Sequence, residues 1–153
     1  MNAVTPSAVA GLTGLEQLRM AFDKDRPGYQ RGIGRTLKFE VLEIEEGRVV
    51  FGGTPDEDVY NPIGTVHGGY AATLLDSAVG CAVHSALPAG KGYTTLELKV
   101  AYHRAMTSAT GPVRAEGKVI QLGRRAGFAE GRLTDEQGRV YATATSTLLV
   151  FDR

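Results

Sequence analysis

The segment from Gly68 to Val83 most constrains the fold, because its side chains are small or apolar on almost every side of a helix. Such a helix needs contact over nearly all of its surface. A curved antiparallel sheet wrapped around it would supply that contact. The glycines and alanines also permit close approach by strands, or by the same helix of a second subunit. We therefore expect this helix to lie at the centre of the molecule.

Asp76 lies in the middle of this segment and is its one charged residue. No lysine or arginine occurs one helical turn away, so no salt bridge within the helix can compensate the carboxylate. A solvated position on a polar helix face is the ordinary interpretation of a lone aspartate, but this segment has almost no polar face. Because burial of an unpaired charge is costly, a functional role is the favoured interpretation.

The remaining patterns predict one α+β domain over residues 11–153 and a flexible N-terminus over residues 1–10. Thr13 and Glu16 match a capping box that begins an amphipathic helix, and Pro27-Gly28 would end it. The central helix should end near Leu87-Pro88-Ala89-Gly90. Predicted strands cover 36–51 as a hairpin about Glu46-Gly47, then 94–102, 112–122, and 127–134 paired with 140–151.

Charge and composition exclude several classes of function. Lysine plus arginine equals aspartate plus glutamate, 17 of each, so no overall positive field attracts nucleic acid or an anionic membrane. Neither a membrane span nor a signal segment is predicted, which places the protein in the cytoplasm. Cys81, the one cysteine, is interpreted as a packed thiol. No metal-ligand spacing, nucleophile elbow or nucleotide-binding loop occurs, so we expect no metal and no cofactor.

The motif His67-Gly68-Gly69 precedes the central helix. Helix N-termini present unpaired amides, and glycines let a ligand approach them closely, so this turn could hold an oxyanion. On these residues alone, a tight loop-to-helix turn is the favoured interpretation of the two glycines, and His67 is more typical of a structural histidine. The same choice between structure and function applies to Asn61 in a turn, to Thr94 and Thr95 in a strand, and to Arg124-Arg125 after Gly123.

The combination of these motifs resembles hotdog-fold acyl-CoA thioesterases of the phenylacetate-degradation type. The resemblance rests on Asn61-Pro62-x-Gly64-x-x-His67-Gly68-Gly69, on Ala72 to Ala78, on Thr94 to Val100 and on Gly123-Arg124-Arg125, and it spans residues 32–150. It implies a hotdog fold, in which a curved antiparallel sheet wraps a long central helix. It also implies a homodimer with a continuous sheet, and a homotetramer formed from two such dimers.

The resemblance further implies hydrolysis of aryl-acyl or medium-chain acyl-CoA to the free acid and coenzyme A. Asp76 would act as nucleophile or general base, and the amide of Gly68 would polarise the thioester carbonyl. Asn61 would orient water or the carbonyl, and Thr95 would assist the same water. His67 belongs to the catalytic loop. Binding of substrate and coenzyme A falls to Gly69, Thr94, Arg124 and Arg125.

Helix geometry adds a constraint on this site. Gly68 and Asp76 are eight residues apart, about 12 Å along a helix, so they cannot both touch one carbonyl within a single chain. We therefore predict that Asn61, His67 and Gly68 of one subunit face Asp76 and Thr95 of its partner.

Two alternatives stay open at this point. The same fold hosts acyl-thioester hydratases and dehydratases, and a non-catalytic acyl-CoA binding module is a third possibility. Tyr70, Leu74 and Leu75 are expected to set the depth of an apolar acyl pocket. The segment Tyr102-His103-Arg104-Ala105-Met106 departs from the Arg-Pro-Ala element of the family, because it lacks the proline.

Overall fold

The computed structural model describes residue 9 and residues 11–25 and 32–153, which form three helices and six strands. The elements are α1 (Gly14–Ala21), α2 (Ile33–Thr36), β1 (Phe39–Glu45), β2 (Arg48–Gly53), α3 (Gly68–Ser85), β3 (Lys91–Tyr102), β4 (Val113–Leu122), β5 (Ala126–Asp135) and β6 (Val140–Asp152). Short 3-10 turns lie at Glu57–Val59 and Ser108–Thr110.

The six strands form one antiparallel sheet in the order β1-β2-β4-β5-β6-β3, which packs against α3. Strands β1 and β3 are the two edges of the sheet. This is the predicted architecture of a sheet wrapped around a long central helix, and the α+β fold class is confirmed. The single domain over residues 11–153 stays a prediction. The segment that is predicted to be flexible, residues 1–10, lies almost wholly outside the described residues.

The helix signals in the sequence are present in the structure. The side chains of Thr13 and Glu16 cap the first turn of α1 reciprocally, as the capping box predicts. Helix α1 ends at Ala21, whereas Pro27-Gly28, the predicted stop, lies outside the described residues. The sequence analysis did not predict α2, a single turn that exposes most of its length.

The strand predictions are confirmed apart from their ends. β1 and β2 meet at Glu46-Gly47, where Gly47 has a φ of 76°, in the left-handed region that glycine favours. Strand β3 begins at Lys91, three residues before its predicted start. The turn between β5 and β6 is organised by buried Asp135, whose carboxylate accepts hydrogen bonds from the backbone and side chain of Arg139 and from the Tyr141 hydroxyl.

The core lies between α3 and the concave face of the sheet. Tyr70, Leu74 and Leu75 of α3 are fully or almost fully buried there against strand residues. All three side chains pack in the hydrophobic core of the chain, and the expectation that they set the depth of a substrate pocket stays a prediction. Their contribution is to stability.

Strand β4 lies very close to helix α3 at Gly117, which leads to a prediction for stability. A Cβ atom added to Gly117 of β4 would lie 2.3 Å from the backbone carbon and oxygen of Ala78. Since neither backbone can move without separating α3 from the sheet, Gly117→Ala is expected to lower the free energy of unfolding by about 3 kcal/mol. Urea denaturation at equal protein concentration measures this. A loss below about 0.5 kcal/mol would contradict such close packing.

Candidate active site

Asp76 is half-buried on α3, and its carboxylate has one hydrogen-bond partner in the described part of the chain. The hydroxyl of Thr95, on β3, donates to Asp76 Oδ1 at 3.1 Å. The sequence suggested that other elements cover the helix on nearly all sides. In the structure one side is left partly uncovered, where exposed surface remains on Gly69, Thr73, Asp76 and Ser77. The carboxylate is thus held by one strand residue and open on its other side.

A β-bulge at Leu96 turns Thr95 toward the helix. In the register of β3 with β6, Thr95 pairs with Leu148 and Glu97 pairs with Thr147, so Leu96 is the extra residue. Leu96 is 61% exposed. The sequence pattern predicts Thr94 and Leu98 on one face of the strand and Thr95 on the other, and the bulge breaks this alternation. Thr94 is exposed, whereas Thr95 and Leu98 both point inward, one on each side of the bulge.

His67 caps the N-terminus of α3 and thereby selects which amide of the glycine pair stays available. Its Nδ1 accepts a hydrogen bond from the amide of Gly69 at 2.8 Å. The amide of Gly68 donates to no group within residues 11–25 and 32–153. The sequence favoured a structural role for His67, and in the structure its side chain caps α3. Because this cap takes up the Gly69 amide, the Gly68 N–H is left as the free donor.

Tyr102 at the end of β3 contacts the same glycine. Its hydroxyl donates to the carbonyl oxygen of Gly68 at 2.9 Å. A Cβ atom on Gly68 would lie 3.0 Å from a ring carbon of Tyr102, so the ring occupies the space beside this glycine. From the sequence, Tyr102 is expected at the end of a strand, and no local pattern marks its contact with Gly68.

Asn61 forms a turn, which is the ordinary role that its sequence context predicted. Its side-chain oxygen accepts from the amides of Ile63 and Thr65, and its amide group donates to Thr65 Oγ1 at 2.9 Å. The turn delivers the chain to His67, whose amide bonds to the Val59 carbonyl. One N–H of the Asn61 side chain is left for a further partner.

A cavity of about 380 Å³ opens beside Gly68 at the N-terminal end of α3. Its floor is apolar, its rim is aromatic and basic, and Asp76 does not line it. The lining residues are Val66, Gly68, Ala71, Tyr102, His103, Arg104, Ala105, Met106 and Tyr141. His103 bonds through Nε2 to Thr143 Oγ1 at 2.8 Å, which ties the end of β3 to β6.

Arg124 and Arg125 lie in the turn between β4 and β5 and are exposed. The register of the sheet connects Ala126, next to this turn, through Leu149 to Thr94. Both arginines and Thr94 therefore belong to the same end of the sheet. An exposed pair of cations there is accessible to an anionic group, and no contact places them beside Asp76.

Cys81 lies one and a half turns beyond Asp76 and is unsuited to nucleophilic attack. Burial raises the pKa of its thiol to about 12, against a small opposing effect of the hydrogen bond with the Tyr93 hydroxyl. A thiol with such a pKa is protonated at neutral pH. The interpretation of Cys81 as a packed thiol is consistent with this environment.

The predicted site residues thus fall into two groups on one chain. Asp76 and Thr95 meet in the middle of α3, whereas His67, Gly68 and Gly69 meet at its N-terminus, with Asn61 in the turn before it. Eight residues of helix separate Gly68 from Asp76, about 12 Å of rise. Thr94, Arg124 and Arg125 contact neither group.

The described residues form neither a metal cluster nor a membrane-spanning helix. Within residues 9, 11–25 and 32–153, no three His, Cys, Asp or Glu side chains cluster as metal ligands do. Over the same residues, no helix has the length and hydropathy that would let it cross a lipid bilayer.

The fold is a central helix wrapped by an antiparallel sheet, and the helix carries a lone carboxylate and a free N-terminal amide. This combination of fold and site is typical of a known class of protein. The chain belongs to the thioesterase superfamily, a class of thioester hydrolases, because the model of that family matches residues 63–142, just over half of its length. Gly68, Asp76 and Thr95 all lie within the match.

Two relatives and one solved structure illustrate the similarity. A protein of Halobacterium salinarum, provisionally named an esterase, is 45% identical over 69 residues, which cover 44% of each chain. The chain thus spans less than half the length of that relative. The 1,4-dihydroxy-2-naphthoyl-CoA hydrolase of Listeria monocytogenes is 27% identical over 119 residues, covering 78% of this chain and 95% of the hydrolase.

The solved structure is a variant of the phenylacetic acid degradation protein PaaI from Thermus thermophilus. It superposes with a TM-score of 0.68 at 27% identity, covering 76% of this chain and 96% of the other. The resemblance to thioesterases of the phenylacetate-degradation type is confirmed at the level of fold and family.

Proposed function

We propose that this protein hydrolyses acyl-CoA thioesters, with aryl-acyl or medium-chain acyl groups as substrates. The observation that carries the proposal is the half-open carboxylate of Asp76, which is held by Thr95 and has no cationic partner in the described residues. A carboxylate kept free in this way suits attack on an electrophilic carbon or removal of a proton from water.

The chemistry needs a second group that stabilises the oxyanion. In the general-base route, Asp76 takes a proton from water as the water oxygen attacks the thioester carbon. The electron pair of the carbonyl then moves to its oxygen, next to the free amide of Gly68. When the pair returns, the C–S bond breaks and the departing sulfur takes up the proton. In the nucleophilic route, the carboxylate oxygen attacks the thioester carbon, and the C–S bond breaks to leave a mixed anhydride and the thiolate. Water then cleaves the anhydride, which restores the Asp76 carboxylate, releases the acid and supplies the proton that the thiolate takes up.

A site of this kind must be assembled from two subunits. Gly68 and Asp76 are too far apart on one helix to touch the same carbonyl, whereas the uncovered side of α3 leaves Asp76 open to a second copy. Asn61, His67 and Gly68 of one subunit would then face Asp76 and Thr95 of its partner. The homodimer is part of the proposal, and the homotetramer and the cytoplasmic location stay predictions.

The remaining site residues fit binding of the substrate. The cavity beside Gly68 offers apolar and aromatic walls to the substrate, and Arg104 adds a positive charge at its rim. Arg124 and Arg125 would meet coenzyme A phosphates at the surface. Gly69 would permit close approach of the substrate at the helix N-terminus, although its own amide is used by His67. Thr94 faces outward, so any contact it makes lies on the convex side of the sheet.

The test is release of free coenzyme A from a panel of aryl, short, medium and long acyl-CoA esters. We expect one class, aryl or medium-chain, to be cleaved with the highest kcat/KM, while heat-denatured protein releases nothing. Hydration of an enoyl-CoA, followed by its ultraviolet absorbance, tests the hydratase alternative in parallel. Tight binding of acyl-CoA without release of thiol would replace the hydrolase with a binding module.

A further inference from the structure

We infer that Tyr102 is a positioning residue that fixes the orientation of the Gly68 amide for catalysis. This inference rests on the proposed function, since it concerns the group that would hold the oxyanion. Tyr102 touches neither Asp76 nor Thr95, and it acts through the glycine pair at the start of α3.

The peptide unit between Gly68 and Gly69 is held from both ends. Its carbonyl oxygen, on Gly68, accepts from the Tyr102 hydroxyl at 2.9 Å. Its N–H, on Gly69, donates to His67 Nδ1 at 2.8 Å. Neither glycine has a Cβ atom to restrict its rotation, so these two contacts add to the hydrogen bonds of the first helical turn in fixing the backbone at this point.

Fixing this peptide unit also restricts the one before it. The amide of Gly68 belongs to the peptide between His67 and Gly68, which joins the fixed unit at the Gly68 Cα atom. His67 is extended, with φ −62° and ψ 135°, and its own amide is bonded to the Val59 carbonyl at 2.8 Å. The carbonyl of His67, in the same peptide as the Gly68 N–H, accepts from the Tyr70 amide at 3.0 Å. The direction of Gly68 N–H is therefore set by this bond and by His67, and on the other side of the Gly68 Cα atom by Tyr102. A donor that is oriented in advance costs no reorganisation when charge develops on the substrate.

The ring of Tyr102 adds a steric constraint to the hydrogen bond. It occupies the space beside the Gly68 Cα atom, where a Cβ atom would come within 3.0 Å of it. The ring also lines the cavity that opens at Gly68. Tyr102 is 56% exposed, so its burial contributes little to the core.

The experiment compares Tyr102→Phe with the native protein. Phenylalanine keeps the ring and removes only the hydroxyl that donates to Gly68. We expect kcat to fall about fivefold, with KM within about twofold, because one neutral hydrogen bond is lost and its effect is felt mainly in the transition state. The matched control is Thr143→Val, which removes a hydrogen bond from His103 at the same end of β3 but none from the glycines.

A readout independent of turnover accompanies the kinetics. The order parameter of the Gly68 amide, measured by nuclear magnetic resonance on glycine-labelled protein, is expected to fall in Tyr102→Phe and to keep its native value in Thr143→Val. If neither kcat nor this order parameter changes in Tyr102→Phe, or if Thr143→Val changes both equally, the inference is overturned.

The two readouts also separate this inference from the proposed function. If the native protein cleaves no acyl-CoA ester, the proposed hydrolysis fails, and the order parameter alone decides whether Tyr102 positions the amide. If the native protein is active and only the order parameter responds, Tyr102 holds the glycines without serving catalysis, and the inference fails while the function stands.

Discussion

Replacement of Asp76 by asparagine is expected to lower kcat for thioester hydrolysis about a hundredfold to ten-thousandfold while leaving the fold intact. The loss follows because an amide can neither accept a proton from water nor attack the carbonyl carbon at neutral pH. Stability should be equal or higher, since the asparagine oxygen can still accept the Thr95 hydrogen bond and a half-buried charge is removed. Steady-state kinetics and thermal unfolding measure the two effects.

Asp152→Asn is the matched control for this change. Asp152 is an exposed carboxylate on β6 that pairs with Lys91, and exposed ion pairs contribute little to stability. It makes no contact with either group of site residues, so its loss should leave kcat within about twofold of native. An Asp76→Asn protein that folds normally and retains most of its activity would exclude Asp76 as the catalytic carboxylate.

Mixing two inactive variants is expected to restore activity, because the proposed site takes Gly68 from one subunit and Asp76 from the other. Gly68→Pro removes the free amide without deleting a residue. Proline is tolerated at the first position of a helix, and the extended His67 suits the residue that precedes a proline. Alone, this variant should lose about a hundredfold to a thousandfold in kcat.

In a heterodimer with Asp76→Asn, one of the two sites contains both native groups and the other contains both defects. Equal amounts of the two variants, unfolded together and refolded, should therefore recover about a quarter of native activity, since half of the dimers are mixed. No recovery despite proven heterodimers would place the complete site within one chain. Gly68→Ala is the control for the added carbon atoms, because it also approaches Tyr102 but keeps its N–H.

The elements of the fold could be predicted from the sequence because their signals are local. The apolar segment that begins at Gly68 predicts the central helix, and the capping box of Thr13 and Glu16 predicts the start of α1. The turns at Glu46-Gly47 and after Asp135 gave two hairpins. The missed turn α2 has four residues and no buried side chain, so no periodic pattern marks it.

The candidate site was only partly accessible to the same reasoning. Asp76 was found because a charge contrasts with its apolar neighbours in sequence. The choice between Gly68 and Gly69 rested on family resemblance, whereas the structure supplies a physical reason, the bond from Gly69 N–H to His67. Tyr102 was missed because its contact with Gly68 joins residues 34 positions apart, and the chain shows no local trace of it.

The bulge at Leu96 lets side chains of a single strand, β3, contact two distant points of helix α3. Thr95 and Tyr102 are seven positions apart, an odd number, and in a regular strand such residues point to opposite faces. The extra residue shifts the alternation once, so both side chains reach α3, one at Asp76 and the other at Gly68. Strand β3 therefore sets the spacing between acid and amide donor, and deletion of Leu96 would cost the helix one of these two contacts. Strand β3 is also an edge strand of the sheet. A second chain that formed hydrogen bonds with it would therefore affect the positions of both the Asp76 carboxylate and the Gly68 amide.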